Sequence, residues 1–99
     1  MFVPLERLSN LLEGYRQTFQ VEGRSVLLLV LDNQPLLLED RCPHRGAPLS
    51  AGTVVDNVLR CARHGMAFEL PSGRALQPSC PGLNMLNLVY DGDRIGVEV

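Results

Sequence analysis

The 99-residue sequence lacks several features on which common protein classes depend. Its longest apolar run, Val26–Leu31, has six residues, far fewer than the roughly 20 needed to cross a bilayer. Residues 1–7 lack the basic stretch and apolar segment of a secretory signal, which favours a soluble, cytoplasmic protein with no membrane partner. There is no lysine, and a formal net charge of −2 argues against nucleic acid as a partner. A phosphate-binding glycine loop for a flavin or nicotinamide is also absent.

Histidine is scarce too, yet each of the two histidines follows closely after a cysteine. One residue separates Cys42 from His44 and two separate Cys61 from His64, with sixteen residues between the pairs. Two thiolates and two imidazoles are donors that bind iron or zinc. The sequence therefore predicts a metal site at Cys42, His44, Cys61 and His64. A Cys2His2 zinc module is an alternative, although zinc sites more often have gaps of two to four residues within both pairs.

Three segments resemble the Rieske proteins: RCPHRGAPLS (41–50), CARHGMAFEL (61–70) and the turn PSGR (71–74). The chain is most similar to the small Rieske ferredoxins that supply electrons to ring-hydroxylating oxygenases. This resemblance implies one [2Fe–2S] cluster per chain, with Cys42 and Cys61 on the buried iron and His44 and His64 on the outer iron. It also implies an all-β, antiparallel Rieske-type sandwich that forms a single domain over residues 1–99, with a cluster-binding subdomain at about residues 41–70.

The resemblance further implies an electron carrier rather than an enzyme. Such a carrier takes one electron from a flavin-dependent reductase and passes it to a terminal oxygenase through transient contacts, usually as a monomer. Both histidines are assigned to the cluster, so none remains for the mononuclear iron of an oxygenase catalytic subunit. A small Rieske-like subunit of a nitrite-reductase-type complex shares the implied fold and is a second alternative, beside the zinc module.

The sequence departs from the respiratory Rieske proteins at positions that matter for redox potential. Their loop-bridging disulfide would match Ala47 and Arg63, which cannot form it. The serine and tyrosine hydroxyls that donate to sulfur in high-potential relatives match Met66 and Phe68. Without these donors we expect a potential near the low end of the Rieske range, about −150 mV. Arg63 opposes this trend, and we expect its side chain to point to solvent.

Other residues of the cluster segment carry further expectations. Gly46 and Gly65 would let the loop backbone approach the cluster closely. Cys80, in a proline-rich segment, is either a small buried side chain or a thiol near the cluster. The four arginines of the segment would steer an acidic partner, unless they merely balance nearby carboxylates. The arginines are Arg41, Arg45, Arg60 and Arg63, and the carboxylates are Glu39, Asp40, Asp56 and Glu69.

Alternating and apolar segments separated by turn residues predict strands rather than helices. The predicted strands cover residues 15–21, 25–31, 36–39, 53–55, 58–60 and 68–70, with residues 85–90 and 95–99 as a closing hairpin. The apolar run at 25–31 is expected to be central and covered on both faces. Leu5–Leu12 can hold one or two helical turns, where relatives often have only a strand.

Overall fold

The computed structural model describes all residues, 1–99, as ten strands and two single 3-10 turns. The strands are β1 (Phe2–Arg7), β2 (Arg16–Val21), β3 (Arg24–Leu31), β4 (Gln34–Glu39), β5 (Thr53–Val55), β6 (Val58–Arg60), β7 (Ala67–Glu69), β8 (Met85–Leu86), β9 (Val89–Asp91) and β10 (Arg94–Glu98). The 3-10 turns are Leu8–Asn10 and Leu49–Ala51. Neither turn has the length or apolar character of a membrane-spanning helix.

Every strand pairing is antiparallel, and the strands form three sheets. The first sheet has the order β1-β10-β9, the central sheet β2-β3-β4-β8, and the small sheet β5-β6-β7. The small sheet falls between residues 53 and 69, inside the segment predicted to form a separate subdomain. The prediction of an all-β, antiparallel fold is therefore confirmed.

The central sheet is covered on both faces, as the apolar run in β3 predicted. Side chains alternate across a strand, so neighbouring residues of β3 enter different cores. Leu27 and Leu29 pack in the larger core, together with the small sheet and both ligand cysteines. Val26 and Leu28 pack in the smaller core against the first sheet. One strand therefore holds the sandwich and the ligand-bearing subdomain together.

The larger core places the predicted ligands inside the protein rather than on its surface. Leu49, Leu59 and Phe68 are fully buried there beside Cys42 and Cys61. Leu59 and Phe68 are paired across β6 and β7, so the small sheet presents one apolar face to this core. Burial of that face fixes the small sheet, and with it the loop that carries Cys61, against the central sheet.

Two predicted elements differ in the structure. The segment 85–90 is not one strand, because β8 pairs with β4 of the central sheet whereas β9 pairs with β10 of the first sheet. Leu86 and Leu88 both pack on the smaller core as the chain crosses between those sheets. The segment 5–12 completes β1 and makes a single 3-10 turn, because β1 forms hydrogen bonds with β10 at the far end of the chain.

Candidate metal centre

The two ligand loops have the same backbone hydrogen-bond pattern despite their different cysteine–histidine spacing. In the first loop, the N–H of Cys42 donates to the carbonyl of Ala47 (2.7 Å), and the N–H of Gly46 donates to the carbonyl of Cys42 (2.6 Å). In the second loop, Cys61 donates to Met66 (2.8 Å) and the glycine four residues after Cys61 donates back to it (3.0 Å). Each loop thus closes through a glycine at the same position.

Gly46 and Gly65 both have left-handed backbone conformations, with φ of +75° and +69°. An L side chain adopts this region at a cost of about 1–2 kcal/mol, so glycine suits both positions. The left-handed residue stands two positions after His44 in the first loop and directly after His64 in the second. Both histidines are exposed, while the cysteines remain inside.

The two thiols lie side by side in the larger core. Cys42 is fully buried and Cys61 is 1% exposed, and each thiol is close enough to affect the pKa of the other. Burial raises the pKa of Cys42, and two backbone N–H groups of its own loop offset only part of that rise. At Cys61 burial acts in the same direction, but two loop N–H groups and the Cys42 thiol outweigh it and lower the pKa. The loop amides therefore favour thiolate at this pair.

The two imidazoles also form a pair, with ring centroids 5.3 Å apart and planes inclined by 69°. An imidazole nitrogen about 2.1 Å from a metal places its ring centroid about 3 Å from that metal, so two rings at a tetrahedral angle lie about 5 Å apart. The observed separation matches two imidazoles on a single metal atom. His44 and His64 are thus arranged as a ligand pair in their own right.

The four predicted donors form two pairs, two buried thiols and two exposed imidazoles. The structure holds no group of three or more His, Cys, Asp and Glu side chains arranged around one metal ion. In a Rieske cluster two thiolates bind one iron and two imidazoles bind the other. The pairwise arrangement fits that donor set.

Four arginines lie on or directly before the two ligand loops and form what we call the arginine rim. The rim consists of Arg41, Arg45, Arg60 and Arg63, all of them exposed. The expectation that the Arg63 side chain points to solvent is confirmed. Partial desolvation and the positive charge of Arg45, with smaller contributions from His44 and Arg63, lower the pKa of His64. The rim charges therefore act directly on the exposed imidazole.

Sequence reasoning missed the contact that the arginine before each cysteine makes with its own loop. The Arg41 guanidinium lies over Gly46, with Nε 3.3 Å from the position a Cβ would occupy there. Arg60 Nη1 donates to the carbonyl of Gly65 at 2.8 Å. The signal was present as the repeated pattern R-C-x-x-x-G at residues 41–46 and 60–65. Both loops are thus held from outside by the arginine that precedes the ligand.

The neighbouring carboxylates do not neutralise the rim. Glu39 forms an ion pair with Arg24, and Glu69 forms one with Arg74. Asp40 accepts hydrogen bonds from a serine hydroxyl and a backbone N–H instead. None of the ion pairs in the structure includes an arginine of the rim. Ion pairing therefore gives no support to the alternative in which these arginines merely balance nearby acidic residues.

Arg16 is a second residue that sequence reasoning missed. Its Nη2 donates to the carbonyls of Leu49 (3.1 Å) and Gly52 (2.6 Å), which follow the first ligand loop. Its Nε is buried without a partner. A guanidinium that spans two carbonyls ties β2 to the segment joining the first ligand loop to the small sheet. No local sequence pattern marks this contact, because its partners are more than thirty residues away.

The remaining candidates lie around the cysteines. Phe68 is fully buried and Met66 half-buried against the same core, so no hydroxyl reaches the sulfurs from either position. Cys80 is half-buried and packs against this core, with its thiol donating to the Pro81 carbonyl at 3.5 Å. All three cysteines are free, in keeping with the absence of a bridging pair at Ala47 and Arg63.

Comparisons with known proteins identify the family. The Rieske [2Fe–2S] domain model matches residues 1–87. Methylxanthine N1-demethylase of Pseudomonas putida is 41% identical over 59 residues, which cover 60% of this chain and 17% of that protein. The chain spans less than a fifth of the length of the curated relatives it matches.

Solved structures agree on the fold. The ferredoxin of carbazole 1,9a-dioxygenase from Nocardioides aromaticivorans superposes with a TM-score of 0.80 at 22% identity, covering 96% of this chain and 94% of that one. A structure described as the small subunit of a putative NADPH nitrite reductase gives a TM-score of 0.78 at 24% identity, with 97% and 96% covered. At these identities the likeness shows the fold.

Proposed function

Because this chain belongs to the Rieske [2Fe–2S] domain family, we propose that it is a one-electron carrier and not itself an enzyme. The observation that carries this proposal is that two buried thiols and two neighbouring exposed imidazoles lie on the two ligand loops. In the proposed assignment Cys42 and Cys61 hold the inner iron of one [2Fe–2S] cluster, and His44 and His64 hold the outer iron. The cluster, when bound, supplies reversible one-electron reduction.

The protein's own groups support such a centre in three ways. The larger core excludes water from both sulfurs, and the loop amides stabilise negative charge on them. The exposed histidines form the edge that a partner can approach. The left-handed glycines hold this edge outward without side chains of their own. These features favour a carrier that exchanges electrons at its surface rather than one that encloses a substrate.

The proposed partners are a flavin-dependent reductase, which donates the electron, and a terminal oxygenase, which accepts it. Two comparisons support an oxygenase system. The matching solved structures include a ferredoxin of carbazole 1,9a-dioxygenase and, separately, a complex of reduced oxygenase and oxidised ferredoxin in carbazole 1,9a-dioxygenase. The sequence matches include the oxygenase subunit of vanillate O-demethylase. We propose a transient encounter with each partner, in the cytoplasm, by a single-domain monomer.

A stable subunit of a larger complex is the second candidate function. The likeness to a protein described as a nitrite reductase small subunit favours considering it. A carrier exchanges partners and dissociates, whereas a subunit remains bound at fixed stoichiometry. Sedimentation of the chain with its reductase and acceptor distinguishes the two, since only a subunit would travel as a constant complex at micromolar concentration.

The proposal predicts the composition of the purified protein. We expect a red-brown sample with about two irons and two acid-labile sulfides per chain, since these make one [2Fe–2S] cluster. A reductive titration should consume one electron per chain. Iron, zinc and sulfide analysis with an anaerobic dithionite titration provides the measurement. A colourless protein with one zinc and no sulfide would establish the zinc module instead.

The side chains beside the sulfurs predict a low redox potential. We expect about −150 mV, because Met66 and Phe68 offer no hydroxyl to the reduced cluster. Phe68→Tyr should raise the potential by about 50 mV, since one hydrogen bond contributes about 1 kcal/mol and 59 mV corresponds to a tenfold change for one electron. Protein-film voltammetry measures both values.

Phe19→Tyr serves as the matched control for Phe68→Tyr. Phe19 packs on the smaller core, on the side of the central sheet away from the cysteines. The redox potential of the Phe19→Tyr variant should equal that of the unmodified protein. A wild-type potential near the upper end of the Rieske range, about +300 mV, would contradict the role assigned to the missing hydroxyls.

A further inference from the structure

Charge is distributed very unevenly between the ligand-bearing segment and the rest of the chain. Residues 41–70 contain the four rim arginines and two carboxylates, Asp56 and Glu69, for a formal charge of +2. The remainder contains five arginines and nine carboxylates, for a formal charge of −4. A protein that is negative as a whole therefore presents a positive surface around His44 and His64.

The structure keeps these positive charges available. All four rim arginines are exposed, and no carboxylate forms an ion pair with any of them. Arg41 and Arg60 are held against the ligand loops by their contacts with Gly46 and Gly65. Exposed charges within about a Debye length of an approaching molecule attract or repel it before contact.

We propose that the arginine rim is a docking surface for an acidic face on the protein that exchanges electrons with this chain. The inference rests on the proposed function, because the rim lies on the same two loops as the imidazoles through which an electron would pass. An acidic face is attracted by the rim and repelled by the negatively charged remainder of the molecule. The field therefore turns the chain so that its histidine end meets the partner first, which raises the rate of productive encounters.

Small redox reagents of opposite charge test this field without the natural partner. Reduced holoprotein gives one electron to ferricyanide, forming ferrocyanide, or to hexaammineruthenium(III), forming the ruthenium(II) ion. If the rim controls approach, oxidation by anionic ferricyanide should slow about tenfold between 10 and 500 mM salt. Oxidation by the cationic reagent should accelerate. A protein that acted through its net charge of −2 would show both trends reversed, and that result would overturn the proposal.

Matched double variants separate the rim from the overall charge. Arg45→Gln with Arg63→Gln removes two rim charges, whereas Arg7→Gln with Arg74→Gln removes two charges elsewhere and leaves the same net charge. We expect the rim variant to lose most of the salt dependence with ferricyanide and the control to retain it. Equal slopes for both variants would contradict the inference.

Two further measurements test which kind of molecule binds the rim and whether the chain is an electron carrier at all. A ten-residue oligoglutamate should slow ferricyanide oxidation at low salt, and an oligolysine should not. Binding to phosphatidylserine vesicles at 150 mM salt would overturn the assignment to an acidic protein in favour of a lipid surface.

A preparation without iron and sulfide would contradict the proposed function itself. A fully loaded protein with the reversed salt dependence would overturn only the docking surface.

Discussion

His64→Ala and Cys42→Ser are each expected to abolish the rhombic electron paramagnetic resonance signal of the reduced protein. A low average g-value in that signal indicates mixed nitrogen and sulfur ligation. His64 is exposed, so its replacement removes no core packing, and any loss of unfolding free energy would come from the loss of the bound cluster. The missing imidazole would leave one coordination position of the outer iron without a protein donor. Loss of signal with an intact fold would therefore identify His64 as a ligand.

Cys42→Ser tests the proposed ligand of the inner iron by replacing its sulfur with oxygen. A serine oxygen is a much poorer ligand than thiolate for the iron of an iron–sulfur cluster. Cys42 is fully buried, so a hydroxyl there without a partner also costs about 1–3 kcal/mol of folding free energy. Circular dichroism and iron content must therefore be measured together with the resonance signal. A folded variant without iron is the expected result.

Cys80→Ser is the matched control for both ligand variants. Cys80 packs near the same core but is half-buried and lies outside the two ligand loops. Its replacement should leave iron content and the resonance signal unchanged. Retention of an unaltered signal in His64→Ala or Cys42→Ser would show that the ligand assignment is wrong. Absence of nitrogen hyperfine couplings in a fully iron-loaded wild-type protein would have the same consequence.

Gly52→Ala is expected to be a strongly damaging single-methyl change beside the ligand loops. A Cβ at this position would fall directly on the carbonyl oxygen of Arg60, and close to the carbonyl of Leu49. Both obstacles are backbone atoms, so no side-chain rotation can relieve the overlap. Gly52 directly precedes β5 of the small sheet, while Arg60 directly precedes Cys61. Relief requires that β5 and β6 separate, which moves the second ligand loop relative to the first.

We expect Gly52→Ala to lower the free energy of unfolding by about 3 kcal/mol and to reduce iron content to a small fraction of wild type. Urea denaturation followed by circular dichroism measures the first quantity. Gly23→Ala is the control, since its left-handed φ of +78° carries a backbone cost of about 1 kcal/mol but no atom lies within 4 Å of the new Cβ. Equal stability losses in the two variants would show that the close approach of Gly52 to Arg60 is unimportant.

Much of the site could be predicted from residue types and short spacings. The four donors lie within two loops, and each loop closes on itself through hydrogen bonds between residues four or five apart. The ligand side chains and the hydrogen bonds that shape each loop are therefore determined by residues only a few positions apart. The buried strand β3 was predictable for a similar reason, because a continuous apolar run of strand length requires cover on both faces.

Pairing between distant segments was decided only in three dimensions. The sequence of residues 5–12 is compatible with a helical turn. In the structure the first part of this segment belongs to β1, because it pairs with β10 at the other end of the chain. The apolar residues of the segment 85–90 predict one continuous strand. They contain no signal that β8 and β9 pair with different sheets. The contact of Arg16 with Leu49 and Gly52 likewise has no local signal.

The balance of charge around the histidines also required the tertiary structure. The nearby acidic residues could have neutralised the arginine rim, and sequence neighbourhood alone favoured neither outcome. In the folded protein Glu39 forms an ion pair with Arg24, and Glu69 forms one with Arg74. Neither glutamate forms an ion pair with the rim. Donor identity follows from the covalent chain, because it depends on side-chain chemistry within a loop. The pairing of sulfur with sulfur, of imidazole with imidazole, and of each carboxylate with its arginine depends on long-range packing.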